Sequence, residues 1–471
     1  MSPDTTVQPA RVAPPRSLAS RAYRGWILGL FATVSTFGFI DRIVVQVLVQ
    51  PIKAELHVSD ADMGLLGGLT FAVLYVALSI PIARLAERKN RVAIVSIGTA
   101  LWSMATAASG MTSSFAQLLL ARIGVGIGEA AGTPATTSII SDYFPAERRA
   151  SAMSIVGLAV PLGAFLGGSG GGLIALHWGW RAAFLCAGLP GFVLALLQWV
   201  TVREPPRGHC DPGHTAASAP PFSEVLRRFW ERRSLIQFLV GATLSTIAGY
   251  GVNYFLAAYF FRRFGLNYAQ AGLVVGVVSS LPAALSIIAG GFVADAAGRR
   301  SARWYALIPA LGAALTAPLY IASFAAGTWL VAAALLSLTA LCQYAYIPAA
   351  AAVTQNMMGP RMRASAAAVT GLVYTLLGQG LGPLFVGMLS DHFTRVRFAG
   401  NFVAACMAPV GTAAVAGAGS AGGTVAATSV ACGAASSQGL QSALMLAALV
   451  YLWSAVHLVL ASRRLASDLA A

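Results

Sequence analysis

Charged side chains are scarce in this sequence. Asp, Glu, Lys and Arg make up 10% of its 471 residues, whereas a soluble domain carries roughly 25%. A soluble protein with so few charges could not cover its surface with polar groups. A membrane protein has no such need, because lipid solvates its outer surface. The shortage therefore excludes an ordinary soluble protein, and the apolar content of 57% agrees with that exclusion.

Histidine is also rare. The six histidines are scattered, mostly in predicted loops, and none lies in an HExxH or Cys-His grouping. An enzyme needs a nucleophile with a base, or a set of metal ligands. We therefore predict that the chain is not an enzyme, including a membrane enzyme acting on lipids, and we expect no cofactor, metal or nucleotide.

Long apolar stretches are what the sequence does contain. Twelve of them approach the roughly 20 residues that a helix needs to cross a bilayer. The sequence thus predicts an all-α membrane protein. The predicted spans 1 to 12 cover residues 24–48, 62–83, 92–110, 115–140, 150–175, 182–202, 236–260, 268–292, 304–325, 328–350, 364–389 and 440–461.

The basic residues predict the orientation. Most of the 31 Lys and Arg residues, which give a net charge of +15, fall on one side of the predicted spans. This is the positive-inside bias, and it places both termini in the cytoplasm of a cell whose inner membrane holds the protein. It also makes a nucleic-acid partner unexpected. Six basic residues fall on the other side: Lys53, Arg181, Arg262, Arg263, Arg395 and Arg397.

The segments between spans divide the chain further. Residues 1–22 and 463–471 are predicted cytoplasmic tails, and residues 23–202 and 234–462 are predicted six-helix bundles. The Pro- and Arg-rich linker 203–233 is predicted to be cytoplasmic. Its end, from Phe222 to Arg233, is either a basic amphipathic helix on the membrane surface or simply solvated chain.

A second long segment, residues 391–438, is predicted to be an external loop. Its part from Gly411 to Gly433 consists mainly of Ala, Gly, Ser, Thr and Val, which predicts extended or loosely ordered chain. Cys406 and Cys432 both fall in this loop. They form either a disulfide, which an external compartment permits, or two unpaired thiols.

The two halves of the chain contain similar segments. ARLAERKNR at 83–91 lies between spans 2 and 3, and GFVADAAGR at 291–299 lies between spans 8 and 9. RASA precedes span 5 at 149–152 and span 11 at 363–366. Duplicated halves packed about a central site are typical of secondary transporters.

These segments resemble known motifs. The loops at 83–91 and 291–300 resemble the loop signature of the major facilitator superfamily, with Glu87 in place of the usual Asp, and RIGVGIGEA at 122–130 resembles its fourth-helix motif. Four further segments resemble the superfamily's bacterial spinster-like group: FIDR at 39–42, GIGEA at 126–130, SDYFP at 141–145 and GPLFVGMLSD at 382–391.

The resemblance implies the major facilitator fold, with two pseudo-symmetric six-helix bundles that rock about a central cavity. It also implies an amphipathic lipid substrate, such as a lysophospholipid or a sphingoid phosphate, and proton coupling. The predicted function is a secondary active transporter of such an amphiphile, with protons and membrane lipids as further partners. We expect a monomer. The alternative is a proton-driven exporter of drugs or other small organic molecules.

Two acidic residues, Asp41 and Glu129, lie inside predicted spans, where a charge is costly and marks function. Glu129 follows Arg122 by seven residues, which places both on one face of span 4. We predict proton coupling by Asp41 and Glu129, with Asp41 favoured, and substrate binding by Arg42, Arg122 and Glu129. Protonation of an acid would free Arg122 for an anionic headgroup. The alternative is a static buried pair that fixes helix packing.

A cytoplasmic gate is predicted at Glu87, Arg88, Asp295 and Arg299, at the cytoplasmic ends of spans 2 and 8. An acid there can face the positive N-terminus of a neighbouring helix. The resemblance implies that these helices are spans 11 and 5. The alternative is that these charges only set the orientation.

Overall fold

The computed structural model describes residues 20–207, 210, 222–358, 362–407 and 421–470. Regular structure in these residues is helical throughout. Ten of their helices, or runs of consecutive helices, are long and apolar enough to cross a membrane.

These ten correspond to the twelve predicted crossings for two local reasons. The run Ser151–Thr201 has 51 residues, enough for two crossings. Gly179 breaks it with φ 81° and ψ 167°, a conformation that glycine adopts without steric penalty. The predicted span 4 is split into Phe115–Glu129 and Gly132–Tyr143, each of which is too short to count alone. The prediction of an all-α membrane protein is confirmed.

The N-terminal bundle contains spans 1 to 6. A short helix, Val49–Leu56, follows span 1. The bounds of the spans are Arg21–Val47 for span 1, Asp60–Gly67 with Leu69–Arg88 for span 2, Arg91–Ser109 for span 3, Phe115–Glu129 with Gly132–Tyr143 for span 4, Ala146–Gly157 with the first part of Ala159–Thr201 for span 5, and the rest of that helix for span 6.

The C-terminal bundle contains spans 7 to 12. A π-helix, Tyr374–Leu381, interrupts span 11, and such segments frequently occur at functional sites. The bounds are Arg233–Phe264 for span 7, Tyr268–Gly298 for span 8, Trp304–Ala325 for span 9, Trp329–Gln343 with Tyr346–Asn356 for span 10, Arg363–Val373 with the π-helix and Gly382–Arg397 for span 11, and Ala421–Ala470 for span 12.

Glycines bring the two bundles into close contact at one end. Gly168 of span 5 lies against the backbone of Gly272 in span 8, and Gly64 of span 2 lies against the backbone at Pro383 in span 11. These contacts lie in the half of the molecule remote from the linker, which we call the far side and which is the predicted external side. The opposite end, which carries the linker, is the linker side.

Part of the segment that was predicted to lack regular structure is helical. In the predicted external loop 391–438, span 11 continues to Arg397 and span 12 already begins at Ala421. Span 12 also runs to Ala470, through the predicted tail. The expectation of loop was wrong for residues 391–397 and 421–438, and in the second stretch alanine, the best helix former, is frequent and no proline interrupts the helix. Residues 408–420 and the predicted N-terminal tail up to residue 19 lie outside the described residues.

Local structure decides the alternative for the thiols and shows that the end of the linker is helical, while the placement of that helix on the membrane surface stays a prediction. Cys406, in a second π-helix at Val403–Met407, is disulfide-bonded to Cys432 of span 12. The end of the linker is a helix, Phe222–Glu231, which we call the linker helix.

Candidate functional site

Asp41 and Arg122 form a sealed ion pair between spans 1 and 4. The Nη1 atom of Arg122 donates to both carboxylate oxygens of Asp41, at 2.8 and 2.9 Å. Thr106 of span 3 donates a third hydrogen bond to Asp41, at 2.9 Å. Asp41 is fully buried and Arg122 nearly so. A buried carboxylate needs such a set of donors, and removal of one partner leaves an uncompensated charge.

Arg42 and Glu129 form a second ion pair between the same two spans. Arg42 Nε donates to Glu129 Oε2 at 3.0 Å, and its Nη2 atom contacts the same oxygen. The guanidinium also lies over three aromatic rings: Phe71 at 4.8 Å, Phe39 at 5.4 Å and Tyr75 at 5.9 Å from the ring centroids. Adjacent residues on a helix point about 100° apart, so Asp41 faces span 3 while Arg42 faces the cavities.

The local sequence of span 4 explains where Glu129 lies. The helix ends at Glu129 and a new helix starts at Gly132, so the carboxylate lies at a break in the span. Pro134, in the first turn of the new helix, lacks the N–H that a continuous helix would use. Gly128 lets span 4 touch the backbone of span 3 at Trp102, where a Cβ would overlap it.

The second ion pair borders a cavity of the N-terminal bundle. This cavity has a volume of about 160 Å³ and is lined by Arg42 and Glu129 together with apolar, serine and threonine residues of spans 1, 3, 4 and 5. Glu129 Oε1 has no hydrogen-bond partner among the described residues, and neither does Arg122 Nε. Glu129 therefore has acceptor capacity that the Asp41 carboxylate, with three hydrogen bonds, has already used.

The C-terminal bundle contributes a larger cavity of different chemistry. It has a volume of about 350 Å³, and its described lining contains no Asp, Glu, Lys, Arg or His. Thr246 and Tyr346 share a hydrogen bond of 3.0 Å across its wall. The lining residues are Thr246, Tyr250, Tyr346, Ile347, Ala350, Ala351, Thr354, Gln355, Ala367, Thr370, Gly371, Tyr374 and Thr375.

A small central cavity of about 80 Å³ lies between these two environments. Arg42 lines both it and the N-terminal cavity, and Tyr250 lines both it and the C-terminal cavity. Gln46, Arg122, Tyr254 and Gln379 complete its polar lining. The site therefore changes from charged in the N-terminal bundle to aromatic and hydroxyl-rich in the C-terminal bundle.

The far side is closed by a charge cluster that joins the bundles. Asp60, at the start of span 2, accepts hydrogen bonds from both Arg262 Nη atoms at 2.6 and 2.7 Å, and from Lys53 and Ser390 at 2.6 Å each. Asp391 of span 11 accepts the backbone N–H groups of Asp60 and Ala61 at 3.0 and 2.8 Å. Burial lowers the pKa of Lys53, and the adjacent Asp60 carboxylate opposes that shift.

Sequence reasoning missed the role of this cluster. It assigned no role to Asp60 and counted Lys53 and Arg262 only as charges on the far side. One signal was available, since the dipeptide Ser-Asp occurs both at 59–60 and at 390–391, the far-side ends of spans 2 and 11. The structure brings these two dipeptides together.

The predicted gate residues are separate on the linker side. Glu87, Arg88, Asp295 and Arg299 are all exposed. Asp295 accepts a hydrogen bond from Tyr305 of its own bundle at 2.9 Å. The structure thus describes contact between the bundles on the far side and separated gate residues on the linker side.

A buried network that sequence reasoning also missed lies next to the predicted gate. Arg91, at the start of span 3, is 2% exposed and forms ion pairs with Asp142 of span 4 and Glu204 of the linker. Its Nη2 atom also donates to the carbonyl of Pro205 at 2.8 Å. Asp142 belongs to the SDYFP segment, so this segment ties span 4 to the base of its own bundle.

Comparison with known proteins identifies the family. Residues 30–383 match the family model described as Major Facilitator Superfamily. The chain belongs to the major facilitator superfamily. It is therefore a multi-pass membrane transporter and not an enzyme, as predicted.

Relatives of known structure and sequence confirm the resemblance to the spinster-like group. A solved structure of a bacterial homolog of the human lysosomal transporter Spinster, inward-facing and unoccupied, is 32% identical, with a TM-score of 0.83 over 95% of this chain and 99% of that one. An MFS-type efflux pump of Mycolicibacterium smegmatis is 30% identical over 79% of this chain and 86% of its own. Protein spinster homolog 1 of Xenopus tropicalis is 27% identical over 77% and 72%.

Proposed function

We propose that this transporter moves a lysophospholipid- or sphingolipid-like amphiphile by proton-coupled alternating access across an inner membrane, with both termini in the cytoplasm, as a monomer. One observation carries the proposal: Arg42 and Tyr250 both line the central cavity, so a charged site and an uncharged aromatic cavity adjoin the same space between the bundles. An amphiphile with an anionic headgroup and an acyl chain matches that change in chemistry.

The headgroup is assigned to Arg42 and Arg122. Arg42 shares its cavity with Glu129, and an anion that displaces the Glu129 carboxylate keeps the guanidinium paired. The Phe39, Phe71 and Tyr75 rings hold the guanidinium in place by cation–π contact. Arg122 Nε faces no hydrogen-bond acceptor among the described residues and supplies a second donor.

Protons are assigned to Glu129 first and Asp41 second. Glu129 borders a cavity and has one oxygen without a hydrogen-bond partner among the described residues, whereas Asp41 is held by Arg122 and Thr106. Protonation of Glu129 neutralises it and releases Arg42, so proton binding and headgroup binding are coupled at one residue. A ligand shifts an equilibrium between two states only by its difference in affinity for them, and the altered charge supplies that difference.

The gate on the linker side is assigned to Glu87 and Arg88 of span 2 and to Asp295 and Arg299 of span 8. In the state open to the linker side these residues are exposed. When the far-side cluster opens and the linker side closes, they approach spans 11 and 5. The two sets of contacts then alternate, each holding one side shut.

The test is uptake of a labelled lysophospholipid into proteoliposomes, with and without a pH gradient. We expect gradient-stimulated uptake that Glu129→Gln and Asp41→Asn abolish. Arg42→Gln should reduce uptake roughly tenfold or more, because a hydrogen bond to a charged group contributes about 1.5–3 kcal/mol. Glu55→Gln is the matched control, since Glu55 pairs with Arg181 on the exposed far-side surface.

A second candidate function is proton-driven export of drugs or small organic molecules. The relative from Mycolicibacterium smegmatis named as an efflux pump favours it. The two proposals separate in the same proteoliposomes. Gradient-driven export of a dye without lysophospholipid transport, by well-folded protein, would replace the lipid proposal with this one.

A further inference from the structure

The linker helix has an apolar face that is wider than the surface covering it. Val225 and Phe229 are 0% and 5% exposed because they pack into the core of the C-terminal bundle. Leu226 and Trp230, one residue further along in each case, are 38% and 75% exposed. At about 100° per residue, these four side chains form one continuous apolar arc, of which the bundle covers only half.

Arginines lie beside the uncovered half. Arg227 follows Trp230 around the helix circumference, and its side chain is 67% exposed. Its contact with Glu231, at 3.4 Å between exposed side chains, contributes little. Arg232 and Arg233 follow directly, where span 7 begins. With Arg228, this segment has four arginines and only two acidic residues, Glu224 and Glu231. Its net charge is therefore positive.

The helix is also held in a fixed position. Val225 and Phe229 anchor it to the bundle, and span 7 starts two residues after it ends. An exposed tryptophan next to arginines at the end of a membrane span is the arrangement that belongs at a lipid–water interface, where the ring lies at headgroup level. Water would solvate the arginines as well, but it would leave Leu226 and Trp230 as an unfavourable apolar surface.

We propose that Leu226, Trp230, Arg227 and Arg233 form a binding surface for anionic phospholipid headgroups of the leaflet on the linker side. The apolar pair inserts between acyl chains, and the arginines contact phosphates. This surface is remote from the charged site of spans 1 and 4, and the proposal does not depend on the identity of the transported substrate.

Quenching of tryptophan fluorescence by brominated lipids tests this assignment on the full-length protein in nanodiscs. The contribution of Trp230 is the difference between wild type and Trp230→Phe, a substitution at an exposed position. We expect this contribution to be quenched by brominated acyl chains, and more strongly in phosphatidylglycerol than in phosphatidylcholine. Each arginine near an anionic surface favours such lipids roughly fivefold, so Arg227→Gln with Arg233→Gln should remove the preference.

Trp199→Phe provides the matched control. Trp199 of span 6 is 56% exposed on an apolar span, so its quenching should not depend on headgroup charge. Trp230 emission that brominated lipids leave unchanged, and that a water-soluble quencher reaches in nanodiscs as readily as in detergent, would show a solvated helix and overturn the proposal. Equal quenching of Trp230 in both lipids, or a preference that survives loss of both arginines, would overturn the assignment to anionic headgroups.

Discussion

Asp60 of the N-terminal bundle accepts two hydrogen bonds from Arg262 of the C-terminal bundle, and both side chains are buried. Because the pair crosses between bundles, its strength sets how readily the far side opens. The cluster around it includes Lys53 and Ser390, so Asp60 is the shared acceptor of three donor side chains. Asp60 is therefore suited to stabilise the conformation that is closed on the far side.

Neutralisation of Asp60 should therefore open the far side. In Asp60→Asn the Arg262 and Lys53 charges lose the negative charge of Asp60 while they are still buried between the bundles, and separation of the bundles hydrates them. Pulsed electron–electron double resonance measures the distance between spin labels on the far-side ends of spans 2 and 11. We expect this distance to lengthen in most molecules. Glu55→Gln is the control, because its partner Arg181 lies on the exposed surface. Unchanged distances in Asp60→Asn would show that the cluster does not hold the bundles together.

Glycine contact between spans 5 and 8 provides an independent test of the same closure. A Cβ at Gly168 would lie 2.7 Å from the carbonyl oxygen of Gly272 and 2.8 Å from Cα of Gly276, and backbone atoms cannot move aside as a side chain can. Gly168→Ala should shift the bundles toward the state open on the far side. A Cβ at Gly170 meets no atom within 4 Å, so Gly170→Ala should leave the labelled distances as in wild type. The same shift in both variants would point to helix propensity and not to the contact.

The two ion pairs of the charged site should differ in their effect on stability. Asp41→Asn leaves Arg122 buried without a counter-charge, and loss of one partner from a buried pair costs about 3–5 kcal/mol. Glu129→Gln should cost less, since the Arg42 side chain is 25% exposed and stays on its aromatic rings. The unfolding midpoint in detergent should fall in the order wild type, Glu129→Gln, Asp41→Asn. A lower midpoint for Glu129→Gln than for Asp41→Asn would contradict the conclusion that the Asp41–Arg122 pair contributes more to stability.

The Cys406–Cys432 disulfide closes a segment with a sequence separation of 26 residues at the far-side end of spans 11 and 12. Closure of a loop of this length stabilises by about 3.5 kcal/mol in the chain-entropy model. A reductant should therefore lower the unfolding midpoint of wild type and leave that of the double variant Cys406→Ser, Cys432→Ser unchanged. Peptide mapping without reductant should recover the two cysteines in one linked species. Alkylation of both before reduction would contradict the pairing.

Residue chemistry alone predicted much of the fold. Every helix that crosses the membrane needs about 20 apolar residues, because lipid offers no hydrogen bonds to the backbone. Composition therefore predicts the spans with little reference to packing. The failures lie outside the membrane, where that condition ends. Residues 421–438 were predicted as loop for want of large side chains, yet they are helical, because alanine favours a helix even where no apolar face is required.

The candidate site divides in the same way. Residue types and their positions in apolar spans are enough to single out Asp41, Glu129, Arg42 and Arg122, because a charge in hydrocarbon needs a partner wherever it lies. Their pairing depends on how the helices pack, which places Arg122 against Asp41 and Arg42 against Glu129. Two acids and two bases permit more than one pairing, and the choice depends on helix rotation and on the break after Glu129. Likewise, the sequence gives Asp60 no sign of a partner, because Arg262 belongs to the other bundle and only the packing of the bundles brings the two side chains together.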